Sequence, residues 1–209
     1  MEFPQACLLI FAKAPVPGQV KTRLAGKLGQ YGAARLYRRL LHRTLAMTSS
    51  ASLCPVQLWC APDSRHGFFG ACRRDYGISL HRQQGADLGQ RMHRALATVL
   101  RNSSYAVLIG ADCPSLGFAE LRYALTMLAQ GQDAVLGPAA DGGYVLIGLR
   151  RPQAMLFRNI VWGGDQVLAA TRRRLQRASL NWVELPPGWD VDRPPDLRRL
   201  KQHSGLLDG

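Results

Sequence analysis

The sequence predicts an α/β fold in which a mostly parallel sheet is covered by helices on both faces. Short apolar runs alternate along the whole chain with segments whose apolar residues recur at helical spacing. No linker or low-complexity tract divides the 209 residues, so we expect a single domain spanning 1–209. Apolar residues make up 47% of the chain and charged residues 20%, a composition typical of globular rather than disordered proteins.

The predicted strands are short apolar runs. The run CLLIFAK (7–13) is apolar at consecutive positions, which is typical of a strand buried on both faces of a sheet. The run YAVLIGAD (105–112) gives the strongest strand signal. Two further runs, 133–139 and 143–149, flank an Asp-Gly pair and are expected to be joined by a hairpin turn. The remaining predicted strands are 56–61, 78–82 and 182–186.

The predicted helices carry apolar residues three or four positions apart, which places these residues on one helix face. Four segments show this spacing or lie where the alternation of strands and helices requires a helix. The Pro-Pro-Asp-Leu sequence is typical of the start of a helix and predicts a fifth one. The five predicted helices cover 33–45, 88–100, 118–128, about 165–178 and a C-terminal segment from about 195.

Charge, apolar runs and cysteines limit the classes of function. The chain has 27 basic and 14 acidic residues, a net charge of +13, which favours an anionic partner such as a nucleotide, a phosphosugar, a nucleic acid or an anionic membrane. The basic residues are spread over helical segments, so nucleic acid is the less favoured partner. We expect no membrane span, no signal peptide and a cytoplasmic protein. The five cysteines include no C-x-x-C pair and are expected to be buried core residues.

The segment FAKAPVPGQVKTRL (11–24) follows the first predicted strand and carries three cations. Two prolines and a glycine shape a loop before any helix can begin. Such a loop, with cations around it, suits a diphosphate. It lacks the glycine spacing of a P-loop. The alternative is a basic surface loop. The candidate phosphate-binding residues are Lys13, Gly18, Lys21, Thr22 and Arg23.

Two acidic segments are candidates for a metal site. Asp112 in GADCPSL follows the strongest strand, at the sheet edge where α/β proteins bind ligands, and could hold Mg²⁺ or Mn²⁺. In WDVDRPPDL we expect one of Asp190 and Asp192 to share that metal with Asp112. We favour Asp192, because the following Arg193-Pro194 holds its backbone extended. The alternatives are a turn or cap aspartate and solvated acidic residues before a helix.

Two further segments could contact substrate. In GPAADGGYVLIGL, the glycines allow a close backbone approach, and Asp141 and Tyr144 could bind hydroxyl groups of a sugar or another acceptor. Whether this hairpin turn also binds substrate is left open. In QGADLGQRMHRAL, Asp87 either contributes to a nucleotide pocket or only caps the following helix.

Together these segments resemble the bacterial DUF2064 family, which is also described as glycosyltransferase A-like or as arsenosugar-biosynthesis-type glycosyltransferases. FAKAPVPGQVKTRL, ADLGQRM, GADCPSL, GPAADGGYVLIGL and WDVDRPPDL occur here in the family's order, from about residue 7 to residue 200. Gly163 and Gly164 stand where the family usually has small hydroxyl residues, and Arg193 stands where it usually has threonine.

The resemblance implies a GT-A, or nucleotide-diphospho-sugar transferase, fold, a nucleotide-sugar donor and a divalent cation bound together with the nucleotide. It implies that Lys13, Gly18, Lys21 and Arg23 bind phosphate and that Asp112 carries the metal. It places the second acidic position at Asp190 or Asp192. The implied sugar or acceptor segment comprises Asp141, Gly142, Gly143 and Tyr144, and Trp162 matches a tryptophan of the family.

Besides the less favoured polynucleotide binder, three functions are compatible with the sequence. The first is a glycosyltransferase that moves a sugar from a nucleotide-diphosphate donor to a small acceptor, with Lys21 and Arg23 assisting the leaving group and Asp141 as a base. The second is a guanylyl- or cytidylyltransferase-like enzyme that takes a nucleoside triphosphate and releases pyrophosphate. The third is a non-catalytic nucleotide-binding protein. The sequence does not indicate which nucleotide base, sugar or acceptor is used. It does not indicate the oligomeric state either.

Overall fold

The computed structural model describes residues 1–203, which form one seven-stranded sheet with six α-helices and two 3-10 helices. The strands are β1 Ala6–Lys13, β2 Val56–Ala61, β3 Ser79–Arg82, β4 Tyr105–Gly110, β5 Ala134–Pro138, β6 Tyr144–Leu149 and β7 Trp182–Glu184. The α-helices are α1 Ala25–Ser50, α2 Gly67–Tyr76, α3 Leu88–Val99, α4 Phe118–Ala129, α5 Val167–Arg177 and α6 Pro194–His203. The 3-10 helices are Thr22–Leu24 and Ala154–Leu156.

The sheet has the order β3-β2-β1-β4-β6-β5-β7, and only β6 runs antiparallel to its neighbours. This strand is antiparallel because it follows β5 directly through the expected turn. The predicted fold class, a mostly parallel sheet with helices on both faces, is therefore confirmed. β1 and β4 lie side by side near the middle of the sheet, so the segments that follow these two strands meet at one edge.

Two apolar layers enclose the sheet. Leu8 and Ile10 of β1 pack in the layer that contains α2 and α4, whereas Cys7 and Leu9 pack in the layer that contains α3 and α5. All four residues are buried, which explains why β1 reads as a continuous apolar run. The helix residues buried most completely in these layers include Leu41, Phe69, Leu96, Leu125 and Leu175.

Two helices differ from the sequence-based prediction. Helix α2 was not predicted, because its apolar residues Phe68, Phe69 and Cys72 span little more than one turn. Helix α1 begins earlier than its apolar pattern, and its first residues are separated from the remainder by a non-helical Gly29 with φ 67°. The five cysteines are all buried, as expected of core residues. Within residues 1–203, no helix is both long and apolar enough to cross a membrane.

A small apolar cluster fixes the C-terminal acidic segment against the sheet edge. Trp189 and Val191 are buried against the first half of α1 and Leu200 of α6. The Val191 N–H donates to the Asp112 carbonyl oxygen at 3.1 Å. The residues on both sides of Val191 are thereby held next to Asp112, although about 80 residues separate them in sequence.

Candidate functional site

Lys21 is the centre of the candidate site. It follows β1 in a left-handed backbone conformation, with φ 48°, and its side chain is only 5% exposed. Its Nζ donates to Asp112 Oδ2 at 2.6 Å. Burial disfavours the ammonium, but Asp112, followed by Asp190 and Asp192, outweighs burial and holds the pKa of Lys21 above its ordinary value.

Both aspartates of the 190–192 pair face this lysine. The Lys21 Nζ lies 3.9 Å from Asp192 Oδ1, and the charge of Asp190 also acts on it. Both carboxylates therefore lie on the same side of this segment, and our expectation that one of them shares a metal with Asp112 stays a prediction. Residues two apart in extended backbone point to the same side, while Val191 between them points into the core.

The two aspartates differ in their partners. Asp192 forms an ion pair with the half-exposed Arg23, whereas within residues 1–203 the Asp190 carboxylate has no hydrogen bond or ion pair. Burial, followed by the nearby Asp112 carboxylate, raises the pKa of Asp190 to about 6. Asp112 and Asp190 are thus close enough to repel each other. This geometry favours Asp190 over Asp192 as the partner of Asp112 in a cation site.

A cleft of about 430 Å³ opens over this ion-pair cluster. Its walls include four of the predicted phosphate-binding residues, Lys13, Lys21, Thr22 and Arg23, together with Asp112 and Asp192. The cleft lies at the carboxyl ends of the central strands, so the predicted loop and the predicted aspartate are in one place. Basic groups and carboxylates side by side in one cleft suit a phosphate chain bound together with a cation.

A smaller cleft of about 170 Å³ lies next to the first, and Leu88 lines both. It brings together the predicted acceptor residues Asp141, Gly143 and Tyr144, and also Trp162 and Asp190. Asp141 Oδ1 accepts a hydrogen bond from the Gly143 N–H at 3.0 Å, which fixes the carboxylate on the turn.

Two of the acceptor residues have structural contacts of their own. The Tyr144 hydroxyl is buried beside Thr171, so only the rest of this side chain is available to a ligand in the smaller cleft. Gly142 adopts φ 87° and lies against the backbone of Asp165, where a side chain would collide. Its carbonyl oxygen accepts a hydrogen bond from the Leu168 N–H at 2.9 Å, which joins the turn to α5.

Two predicted nucleotide-binding residues, Gly18 and Asp87, have backbone roles in the structure. Gly18 provides the positive φ of 78° that the loop needs, and lies against Gln30. Asp87 caps α3, with its Oδ1 accepting a hydrogen bond from the Gln90 N–H at 2.8 Å. It lines a different cavity, on the outer side of α3. Of the two interpretations left open for Asp87, the helix cap is the one that the structure shows.

Two residues of the larger cleft were not identified from the sequence. Gln83, which is almost fully buried, donates through Nε2 to the carbonyl oxygens of Ala12 and Trp59, so its amide orientation is fixed. The Tyr37 hydroxyl accepts a hydrogen bond from the Lys13 N–H at 2.8 Å. Gln83 directly follows β3, so the rule that ligands bind beyond strand ends could have found it. Tyr37 lies in the middle of α1 and carries no such signal.

The donor set fits a divalent cation that obtains most of its ligands from elsewhere. Within the described residues, no three or more His, Cys, Asp or Glu side chains are arranged to hold a metal by themselves. Asp112 and Asp190 nevertheless place two repelling carboxylates at the wall of the clefts. Mg²⁺ usually binds one or two carboxylates and completes its shell with phosphate oxygens and water. The residues present therefore suit a cation that arrives with a nucleotide.

Comparison with known proteins identifies the family and the fold. The family described as an uncharacterized protein conserved in bacteria, DUF2064, matches residues 44–164. A crystal structure from Desulfovibrio desulfuricans G20, named as a candidate nucleotide-diphospho-sugar transferase, shares 32% identity with a TM-score of 0.87. The alignment covers 98% of this chain and 91% of that one. No protein of curated function matches the sequence.

More distant structures share the fold alone. A cytidylyltransferase from Leptospira borgpetersenii is 17% identical over 95% of this chain and 85% of that one, with a TM-score of 0.59. A 4-diphosphocytidyl-2C-methyl-D-erythritol synthase from Anaerococcus prevotii is 10% identical over 95% of each chain, with a TM-score of 0.61. The sheet and helices described above are therefore those of nucleotide-diphospho-sugar transferase structures, as the sequence resemblance implied.

Proposed function

Since the chain belongs to the DUF2064 family, we propose that it is a transferase that moves a sugar from a nucleotide-diphosphate donor to a small acceptor. One observation carries this proposal. The basic loop after β1 and the aspartates at 112 and 190 meet between two adjoining clefts. The larger cleft suits the nucleotide diphosphate, and the smaller one suits the sugar and the acceptor.

Lys21 and Arg23 are proposed to bind the diphosphate. The Lys21 ammonium has three N–H donors and uses one of them on Asp112, which leaves donors for phosphate oxygens. Arg23 reaches the same cleft from the neighbouring turn, and its contact with Asp192 fixes its position. As the bond between the sugar and the diphosphate breaks, both cations stabilise the negative charge that develops on the leaving group.

Asp141 is the proposed base. Its carboxylate lines the smaller cleft and is held on the turn by the Gly143 N–H. In the proposed reaction an acceptor hydroxyl forms a bond to the anomeric carbon, the nucleoside diphosphate leaves with the bonding electrons, and the hydroxyl proton passes to Asp141. Trp162, beside Tyr144, supplies an apolar surface against which the sugar ring can lie.

Asp112 and Asp190 are the residues proposed to hold Mg²⁺ or Mn²⁺. When bound, the cation would neutralise charge on the diphosphate. Lys21 Nζ lies 2.6 Å from Asp112 Oδ2, so its charge offsets part of the repulsion between these two carboxylates. Lys13 extends the positive wall of the larger cleft.

A nucleotidyltransferase would use the same cations on a triphosphate and would release pyrophosphate. The distinguishing experiment incubates the full chain and Mn²⁺ with nucleoside diphosphate sugars in one series, and with nucleoside triphosphates and sugar phosphates in another. We expect release of a nucleoside diphosphate in the first series. Pyrophosphate release in the second series alone would overturn the proposal in favour of nucleotidyl transfer. Binding of nucleotide without either product would indicate a non-catalytic protein.

Two lysine variants make the experiment specific. Lys21→Ala removes a buried cation of the larger cleft, whereas Lys27→Ala removes an exposed cation from the first turn of α1. Both variants change the net charge by one. We expect Lys21→Ala to abolish product release and Lys27→Ala to retain it. Equal activity of the two variants would show that the released product does not arise at the proposed site.

A further inference from the structure

We propose that a cavity on the outer side of α3 binds a small phosphate monoester, at a site separate from both clefts of the proposed transferase. The cavity has a volume of about 310 Å³, within the usual range of small-molecule sites. His93 and Arg94 on α3 form one wall. Phe157 and Arg158, which follow the 3-10 helix Ala154–Leu156, form the other. None of the residues that line it lines either cleft.

Three basic side chains converge on this cavity. Burial, followed by the charges of Arg158 and Arg94, lowers the pKa of His93 below its ordinary value, so both guanidinium groups act on the same imidazole. Within the described part of the chain, neither arginine forms an ion pair with a carboxylate. Asp87 also lines the cavity, but its carboxylate accepts hydrogen bonds from Gln90 at the start of α3.

Hydrogen bonds from α5 stabilise the wall opposite α3. Arg174 of α5 donates to the carbonyl oxygen of Met155 at 2.9 Å, to that of Arg158, and to that of Asn159 at 3.2 Å. A single guanidinium therefore binds three carbonyl oxygens within residues 155–159 and fixes the backbone of this wall. A wall that is already fixed loses less conformational freedom when a ligand binds.

The residues present select the chemistry of the ligand. Guanidinium groups bind phosphate oxygens through paired N–H donors, and two of them with an imidazole suit a dianion better than a single carboxylate. Ala154 and Phe157 also line the cavity, and the Phe157 ring lies 6.0 Å from that of His93, so apolar atoms adjoin the basic groups. A phosphate attached to a small apolar or aromatic group would contact both surfaces.

The imidazole of His93 allows a direct test by NMR. The full chain is titrated with inorganic phosphate and, separately, with phenyl phosphate, and the His93 signal is identified by its loss in His93→Gln. We expect a saturable shift of this signal with both probes and tighter binding of phenyl phosphate. A His93 signal that does not move, or that moves without saturation, would overturn the proposal.

Matched double variants separate this site from general attraction to a basic protein. Arg94→Gln with Arg158→Gln removes two cations from the cavity, and Arg101→Gln with Arg151→Gln removes two exposed cations outside it. We expect the first pair to weaken phosphate binding at His93 by about tenfold or more, and the second to leave it within about twofold. Equal weakening would contradict the proposal. The single variants Arg94→Gln and Arg158→Gln repeat the test if the double variant does not fold.

Discussion

Replacing Lys21 and Arg23 together by alanine tests the proposed diphosphate site. Each residue can make at least one charge-assisted hydrogen bond to a bound diphosphate, and such a bond contributes about 1.5–3 kcal/mol. Arg23 is more than half exposed, so its contribution belongs at the lower end of this range. The sum is about 3 kcal/mol or more, which corresponds to a loss of affinity of about a hundredfold or more.

This magnitude counts the lost hydrogen bonds alone, and charge repulsion can add to it. Lys21 and Asp112 both line the larger cleft, and the Lys21 Nζ lies 2.6 Å from the carboxylate. Its removal leaves the charges of Asp112 and Asp190 facing the diphosphate with no ammonium between them. Repulsion then adds to the lost hydrogen bonds, unless a divalent cation compensates for it.

The assay is isothermal titration calorimetry with nucleoside diphosphates in the presence of Mn²⁺. The control is the double variant Lys27→Ala with Arg35→Ala, which removes two exposed cations from α1 and so changes the net charge equally. We expect the control to bind with nearly unchanged affinity. Affinities of the two double variants that agree within about twofold would refute the assignment of the loop after β1 to the diphosphate.

Two further variants test other parts of the account. Asp112→Asn should abolish Mn²⁺-dependent nucleotide binding. It should lower the Tm of the metal-free protein by no more than about 4 °C, because asparagine still accepts a hydrogen bond from Lys21 and the charges of Asp190 and Asp192 still favour the ammonium. A larger loss of Tm with intact Mn²⁺-dependent binding would make Asp112 a purely structural residue. Gly89→Ala should destabilise the protein by about 1–3 kcal/mol in denaturant unfolding, because a Cβ there would lie 2.5 Å from the Trp162 ring. The control is Gly26→Ala, whose Cβ meets no neighbour within 4 Å and which should not destabilise the protein. Equal stabilities of the two variants would refute the contact between Gly89 and Trp162.

The strand pattern was predictable from the sequence because these strands are buried on both faces. A strand such as β1 has no solvent side, so its residues are apolar at consecutive positions and the run is visible without knowledge of its neighbours. Helix α2 has only three buried residues, and its apolar pattern is too short to separate from chance. Its position depends on packing against α1 and the sheet, which the local sequence does not encode.

The candidate site was predictable only where its residues follow strands. Lys21 and Asp112 come shortly after β1 and β4, and the order of an open α/β sheet brings such positions together. The orientation of Asp190 and Asp192 depends instead on Val191, whose burial against α1 turns both carboxylates towards Lys21. Tyr37 reaches the site from the middle of a helix, and only the three-dimensional packing shows this contact.

The most direct test of the central claim is a crystal structure of the protein with a nucleoside diphosphate sugar and Mn²⁺, with the metal located by its anomalous signal. We expect Mn²⁺ within coordination distance of the Asp112 carboxylate and the diphosphate in contact with Lys21 and Arg23 in the larger cleft. We expect the sugar in the smaller cleft near Asp141 and Trp162. A diphosphate bound away from the loop after β1, or a metal bound without Asp112, would contradict the claim.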